Sequence, residues 1–171
     1  NWTQIYAAIE SFTPSVWLSS PYAFNVDGTH YITMDSATGG ATYSIYFNVT
    51  ENSTTQYLFD TGSSYMYISS GNLYASYGGA PEVDMGSVSA GVWNHAVMVQ
   101  FGSGTSYYLN DMETEKAADS EISLDGSSTI IVGADNTGSN PLNGKIIQFR
   151  AYNDALDQTD RETLNGELSG R

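Results

Sequence analysis

Between Trp93 and Tyr152 the chain is a succession of short apolar runs cut by Gly, Asn and Asp, and this pattern limits the folds open to it. Trp93-Asn94-His95-Ala96-Val97-Met98-Val99-Gln100-Phe101 opens the stretch. Tyr107-Tyr108-Leu109-Asn110-Asp111 runs into a turn, and Thr129-Ile130-Ile131-Val132-Gly133 follows. A polar loop, Ala134–Asn143, leads into Gly144-Lys145-Ile146-Ile147-Gln148-Phe149-Arg150-Ala151-Tyr152. Runs this short, rich in β-branched and aromatic residues and bounded by turn formers, are strands rather than helices.

The upstream half repeats the pattern. Tyr22–Val26 and His30–Met34 alternate apolar and polar residues, with Asp27-Gly28 between them as a hairpin signal. In Ala41–Val49 the period of two puts Tyr43, Ile45 and Phe47 on one face. Gln56–Asp60, Tyr65–Ser69 and Asn72–Tyr77 are three further strands, and Met85–Ala90 leads into Trp93. Strands and turns at this spacing predict an antiparallel sandwich or barrel. The ends differ. Ile5, Tyr6, Ile9 and Phe12 have roughly helical spacing, so residues 1–21 read as a lead-in with a short helix that packs on the sandwich. Residues 22–171 form the domain proper. Thr159-Asp160-Arg161-Glu162 fits a capping box and predicts a helical turn or two through Leu164.

Charge and composition exclude several functions. The formal net charge is -14, with five Lys plus Arg in 171 residues. Phosphate backbones and anionic membrane surfaces are held through Lys and Arg, so nucleic acid and such membranes are not partners. No apolar run approaches the roughly 20 residues of a membrane span, so no membrane insertion is expected. With no Cys, disulfides, thiol chemistry and thiolate zinc sites are absent. Beginning at Asn1 without Met or an apolar leader, the sequence reads as a mature product, a trimmed chain or a fragment.

Trp93-x-His95, the strand and turn at Tyr107–Asp111, the Ile-x-Val-Gly strand ending at Gly133, Gly144-x-Ile146 with Phe149-Arg150-x-Tyr152, and the close at Tyr152-Asn153-x-Ala155-Leu156 occur in that order. In this order they resemble the laminin G-like modules, which are concanavalin A-like jelly rolls; the resemblance covers about Tyr22 to Leu164. It implies an all-β, antiparallel two-sheet sandwich with short terminal helical turns. It also implies a non-catalytic binding or adhesion module, extracellular or on a cell surface or virion, that recognises a glycan or a surface protein. The structural alternative is a decoration or assembly domain whose partners are copies of itself or a larger host chain. In laminin G domains a calcium ion sits at one rim of the sandwich, and calcium takes about six to eight oxygen ligands. The resemblance places its ligands here at Asp84, before a Gly-Ser turn, and at Asp135 or Asn136. The closing strand, Gly144-Lys145-Ile146-Ile147, lacks the Asp that many such jelly rolls carry.

Other candidate chemistry is incomplete. Phe59-Asp60-Thr61-Gly62-Ser63-Ser64 resembles the active-site turn of aspartic proteases, whose mechanism needs two carboxyls sharing a proton. No second Asp-Thr-Gly or Asp-Ser-Gly exists, so a protease would require dimerisation; otherwise Asp, Gly and Ser here are ordinary turn formers. Glu82-Val83-Asp84-Met85 resembles the Glu-x-Asp motif of retaining glucanases, which need a second carboxyl about 5–5.5 Å away. Gly86 and Ser87 stand where it should be. His30 and His95 have no Gly-x-Ser-x-Gly elbow to serve, and His95 is expected to be a packed, hydrogen-bonded ring. No catalytic residue is assigned. Tyr65, Tyr67, Tyr74 and Tyr77 are either an aromatic platform for a sugar or one face of a sheet with its hydroxyls in water. Asn1-Trp2-Thr3, Asn48-Val49-Thr50 and Asn52-Ser53-Thr54 have the N-glycosylation acceptor pattern.

Overall fold

A computed structural model describes residues 16–35, 41–102, 104–119 and 129–169. The strands are β1 (Val16–Asp27), β2 (Ile32–Asp35), β3 (Thr42–Val49), β4 (Gln56–Asp60), β5 (Tyr65–Ser69) and β6 (Asn72–Ser76). They continue with β7 (Val83–Ser87), β8 (Trp93–Phe101), β9 (Gly104–Leu109), β10 (Ala117–Asp119), β11 (Thr129–Val132) and β12 (Asn143–Tyr152), followed by helix α1 (Gln158–Ser169). They form two six-stranded antiparallel sheets: sheet A, in the order β1-β12-β3-β8-β9-β10, and sheet B, in the order β2-β11-β4-β5-β6-β7. This is the expected two-layer sandwich.

Period-two alternation builds the core. Tyr43, Ile45, Phe47 and Val49 of β3 are buried, as are Met66 and Ile68 of β5 and Leu73 and Ala75 of β6. The layers meet through aromatic rings. Tyr43 and Phe149 of sheet A contact Phe59 of sheet B, with centroids 5.2 and 5.1 Å from it. Gly144 has a steric cause: a Cβ there would run into the Asn48 carbonyl oxygen, where β12 lies against β3.

The two outer faces differ, and this positions the site. Sheet A is covered around β8, β9 and β12. Val97, Val99, Tyr108 and Met112 form a second apolar cluster, and Tyr152 packs with Leu156 and Leu164 of the C-terminal segment. Arg161 of α1 lies 3.9 Å above the Tyr108 ring and donates to the Leu156 and Met112 carbonyls. Sheet B carries a row of half-buried tyrosines on its outer face instead.

Three expectations need correction. The Asp27-Gly28 signal does not make a hairpin: β1 pairs with β12 in sheet A and β2 with β11 in sheet B. Gly28, at φ 78, turns the chain from one layer to the other, with its N–H bonded to the Leu142 carbonyl. Helix α1 is longer and starts earlier than the Thr159 box implied. It has 12 residues, and Asp157 is its cap: Asp160 N–H donates to Asp157 Oδ1 at 3.0 Å, while Asp157 N–H reaches Asp160 Oδ2 at 3.4 Å. An Asp-x-x-Asp box does the same work as Thr-x-x-Glu. Third, Tyr77 is not on an outer face; it is 1% exposed and packs against Tyr43. The expected helix at residues 2–12 lies outside the described residues, while 16–21, at the end of the expected lead-in, are part of β1.

Candidate functional site

The outer face of sheet B is built by strand register. Tyr57 of β4 stands opposite Tyr67 of β5, Tyr67 opposite Tyr74 of β6, and Tyr74 opposite Asp84 of β7. Four strands thus contribute one continuous row. The Tyr57 and Tyr67 rings are stacked with centroids 5.1 Å apart, and those of Tyr67 and Tyr74 at 5.3 Å. Tyr65 joins from the adjacent row, 6.0 Å from Tyr57 and 6.1 Å from Tyr67. Near-parallel rings at this separation are slipped over one another, as aromatic quadrupoles favour. They form a ridge that presents ring edges and hydroxyls outward.

The ridge has a polar frame. The Tyr67 hydroxyl donates to Glu82 Oε1 at 2.9 Å. Burial, then that bond, then the Glu82 charge push the Tyr67 phenol well above its usual range. Burial and nearby carboxylates likewise raise Tyr57 and Tyr65. The phenols of Tyr57, Tyr65 and Tyr67 are therefore neutral donors and acceptors at any physiological pH. Asp84 accepts from Asn72 Nδ2 and Gly86 N–H, both at 2.8 Å. A third row, Ser69, Asn72 and Ser87, continues the hydroxyl and amide lining.

Asp60 closes the other end of the frame. A bulge between Tyr57 and Phe59 reverses the face along β4, so Tyr57 and Asp60 share the outer side although three positions apart. The Asp60 carboxylate accepts the Gly62 N–H at 2.6 Å and the Asn136 N–H at 3.0 Å. It ties its own turn, where Gly62 has φ 94, to the β11–β12 loop. This is the turn-forming role, and both oxygens are engaged in it.

The three expected metal ligands are not brought together. Asp135 and Asn136 are neighbours in the β11–β12 loop. Asp84 stands on β7, four strand intervals from β11, or about 19 Å at the usual interstrand spacing. Asp135 is filled by its own loop: Oδ1 accepts from the Thr137 and Ser139 N–H groups at 2.9 and 2.8 Å, and Oδ2 from Asn140 Nδ2 at 2.8 Å. Burial opposes ionisation there, but the Thr137 hydroxyl, which donates to Oδ1 at 2.7 Å, together with these bonds outweighs it and holds the carboxyl below its ordinary range. Among the described residues no group of three or more His, Cys, Asp or Glu is placed to hold a metal ion. These residues do not fit a calcium centre that uses all three.

His95 is the packed ring expected. It is 1% exposed, with Nε2 2.9 Å from the Ser44 hydroxyl and Nδ1 3.0 Å from Asn165 Oδ1 of α1. Burial pulls its pKa down to about 4, so it is neutral and structural. His30 lies on an exposed turn, 2.9 Å from Asp27 Oδ1. Asn52, in one acceptor triplet, already donates its amide to the Val88 carbonyl at 2.6 Å. Tyr57 is the member of the ridge that sequence reasoning missed. The bulge that turns it outward shows only in the pairing of β4 with β5.

Comparison with known proteins agrees with this architecture. The model of the concanavalin A-like lectin/glucanases superfamily, under its Laminin_G_3 heading, matches residues 10–160. No curated protein sequence matches the chain. Among solved structures, the CBM40 domain of the Ruminococcus gnavus IT-sialidase, bound to α2,3 sialyllactose, superposes with a TM-score of 0.70 at 13% identity, covering 90% of this chain and 100% of that one. Domain 4 of AbnA, a GH43 extracellular arabinanase from Geobacillus stearothermophilus, in complex with arabinotriose, gives 0.65 at 15% identity, with 91% and 82% covered. The SAP-like pentraxin of Limulus polyphemus gives 0.63 at 15% identity, with 82% and 80% covered. At such identities the structural likeness speaks for the fold. The family match spans most of the sequence, and the chain therefore belongs to the concanavalin A-like lectin/glucanase superfamily, in its laminin G-like group.

Proposed function

We propose that this chain is a non-catalytic glycan-binding module whose ligand lies on the outer face of sheet B, across Tyr57, Tyr65, Tyr67 and Tyr74. The tyrosine ridge carries this reading. Sugars present C–H faces and hydroxyls side by side, and phenols meet both, through ring edges and O–H groups. Two relatives of this fold are described as glycan-bound domains, one with sialyllactose and one with arabinotriose. A protein partner or self-assembly has less support: among the described residues only Tyr31 and Val92 are large exposed hydrophobics, whereas protein docking surfaces centre on a contiguous apolar patch. Among the described residues catalysis has no constellation. Asp60 is tied to backbone amides, and the register shift at Met85 makes Ser87, not a carboxylate, the next residue after Asp84 on the outer face. Calcium has no part in this reading, because Asp84 stands apart from Asp135 and Asn136. No described helix is long and apolar enough to cross a membrane, and the module belongs outside the cell or on its surface, where glycans are met.

The test is a glycan array followed by calorimetry on the best ligand. Tyr67→Ala removes the central ring of the stack and should weaken binding about thirtyfold, as loss of an interface anchor does, while the melting transition stays cooperative. Undiminished affinity in both Tyr67→Ala and Tyr74→Ala would place the ligand elsewhere and sink the assignment.

A further inference from the structure

The sign of the charge around the ridge narrows the ligand class. The sequence has five cationic side chains, and four are among the described residues. Lys116 follows β9, Lys145 and Arg150 lie on β12, and Arg161 lies on α1. Lys116 lies in the β9–β10 connection and the other three on β12 or the helix, so none is in sheet B, and Arg150 and Arg161 are 2% and 4% exposed. The strands of sheet B and the loops 50–55, 61–64, 70–71, 77–82 and 133–142 contain no Lys or Arg. Carboxylates bracket the ridge instead. Glu82 bonds the Tyr67 hydroxyl and Asp84 stands opposite Tyr74. At the other end Asp60 shares the outer side with Tyr57, and the Asp135 loop is held beside Tyr57 by the Tyr57 N–H to Asn140 carbonyl bond of 3.0 Å.

A ligand carboxylate brought to this face would lose hydration without meeting a Lys or Arg of its strands and loops, and would face like charges. A neutral sugar brings O–H donors, which are what carboxylates and phenol oxygens accept. We propose that the sheet B face selects neutral oligosaccharides and discriminates against carboxylated ones such as sialosides and uronates. The inference rests on the glycan-binding function proposed above. It separates this chain from its sialyllactose-bound fold relative and sides with the class of arabinotriose, an uncharged sugar.

The experiment uses the whole chain on paired neutral and carboxylated oligosaccharides, at low and at high salt. Neutral ligands should bind with affinity indifferent to salt. A carboxylated version of a bound sugar should bind about tenfold more weakly at low salt, the scale of two carboxylates acting across a wet surface. That penalty should shrink as salt screens it. The isosteric pair Glu82→Gln with Asp84→Asn, at exposed positions where folding is checked by circular dichroism, should shrink it too. Equal or tighter binding of the carboxylated sugars overturns the charge selection while leaving the glycan-binding function standing. A penalty unchanged by both salt and the double variant also overturns it. Failure of every sugar to bind removes the underlying function and the selection with it.

Discussion

Asp60 shows how a single side chain changes meaning once its partners are seen. In sequence it stands in Asp-Thr-Gly, the turn of a protease. In the fold its two oxygens hold the amides of Gly62 and Asn136, and the same turn is closed by the Thr61 N–H to Ser64 carbonyl bond of 2.9 Å. Asp60→Ala strands two backbone donors and should cost about 2–3 kcal/mol in denaturant unfolding. A change below half a kilocalorie would remove the clamp role. The neighbouring residue Tyr57 was illegible for a related reason. Strict alternation puts it on the same face as Phe59, and only the bulge in β4 sends Phe59 inward and Tyr57 outward. Nothing in the local composition announces a bulge, whereas Tyr65, Tyr67 and Tyr74 follow simple parity. Tyr77 has the parity of Leu73 and Ala75, which are buried, so alternation carried one residue past β6 places it inward; grouping it with Tyr74 by residue type hid this.

Among the elements, strands were legible and their partners were not. Apolar alternation marked β3, β4, β5, β6 and β12 nearly to the residue, since each must bury one face. Pairing between distant segments, such as β1 with β12 or β2 with β11, has no local signature. Asp27-Gly28 therefore looked like a hairpin when it is a corner. Helix α1 is locked to sheet A through the part-buried His95–Asn165 contact. Asn165→Ala leaves a ring nitrogen unpartnered and should cost about 1–2 kcal/mol. The ring also sets a pH dependence. Unfolded, His95 titrates near 6.5; folded, near 4. Between these values the unfolded chain holds the extra proton, so stability from this group is complete above pH 6.5 and falls as pH descends to 4. The loss is on the order of 3 kcal/mol. Melting curves across that window should show the slope, and His95→Gln should flatten it; an unchanged slope in the variant would assign it to other groups. The β11–β12 loop closes on itself through Asp135, so millimolar calcium should leave the melting temperature unmoved. A rise that disappears in Asp135→Ala would restore the rim ion.

The two-layer sandwich divides its labour between its outer faces. One is covered by α1 and the chain leading to it, and it takes the buried arginines and His95. The other bears phenols, amides and carboxylates in register across four strands. Fold class was readable throughout the sequence because burial of alternate residues is written locally. The proposed ligand surface was legible only in part: Tyr65, Tyr67 and Tyr74 stood out as a candidate platform, but the row that joins them to Tyr57 and Asp84 exists only when β4 to β7 lie side by side. The most direct test is nuclear magnetic resonance of tyrosine ring signals during titration with the tightest-binding neutral oligosaccharide from an array. The signals of Tyr57, Tyr65, Tyr67 and Tyr74 should shift together and saturably, while those of the buried Tyr43 and Tyr107 stay in place. Saturable shifts confined to residues of sheet A, with the four ridge tyrosines silent, would contradict the account.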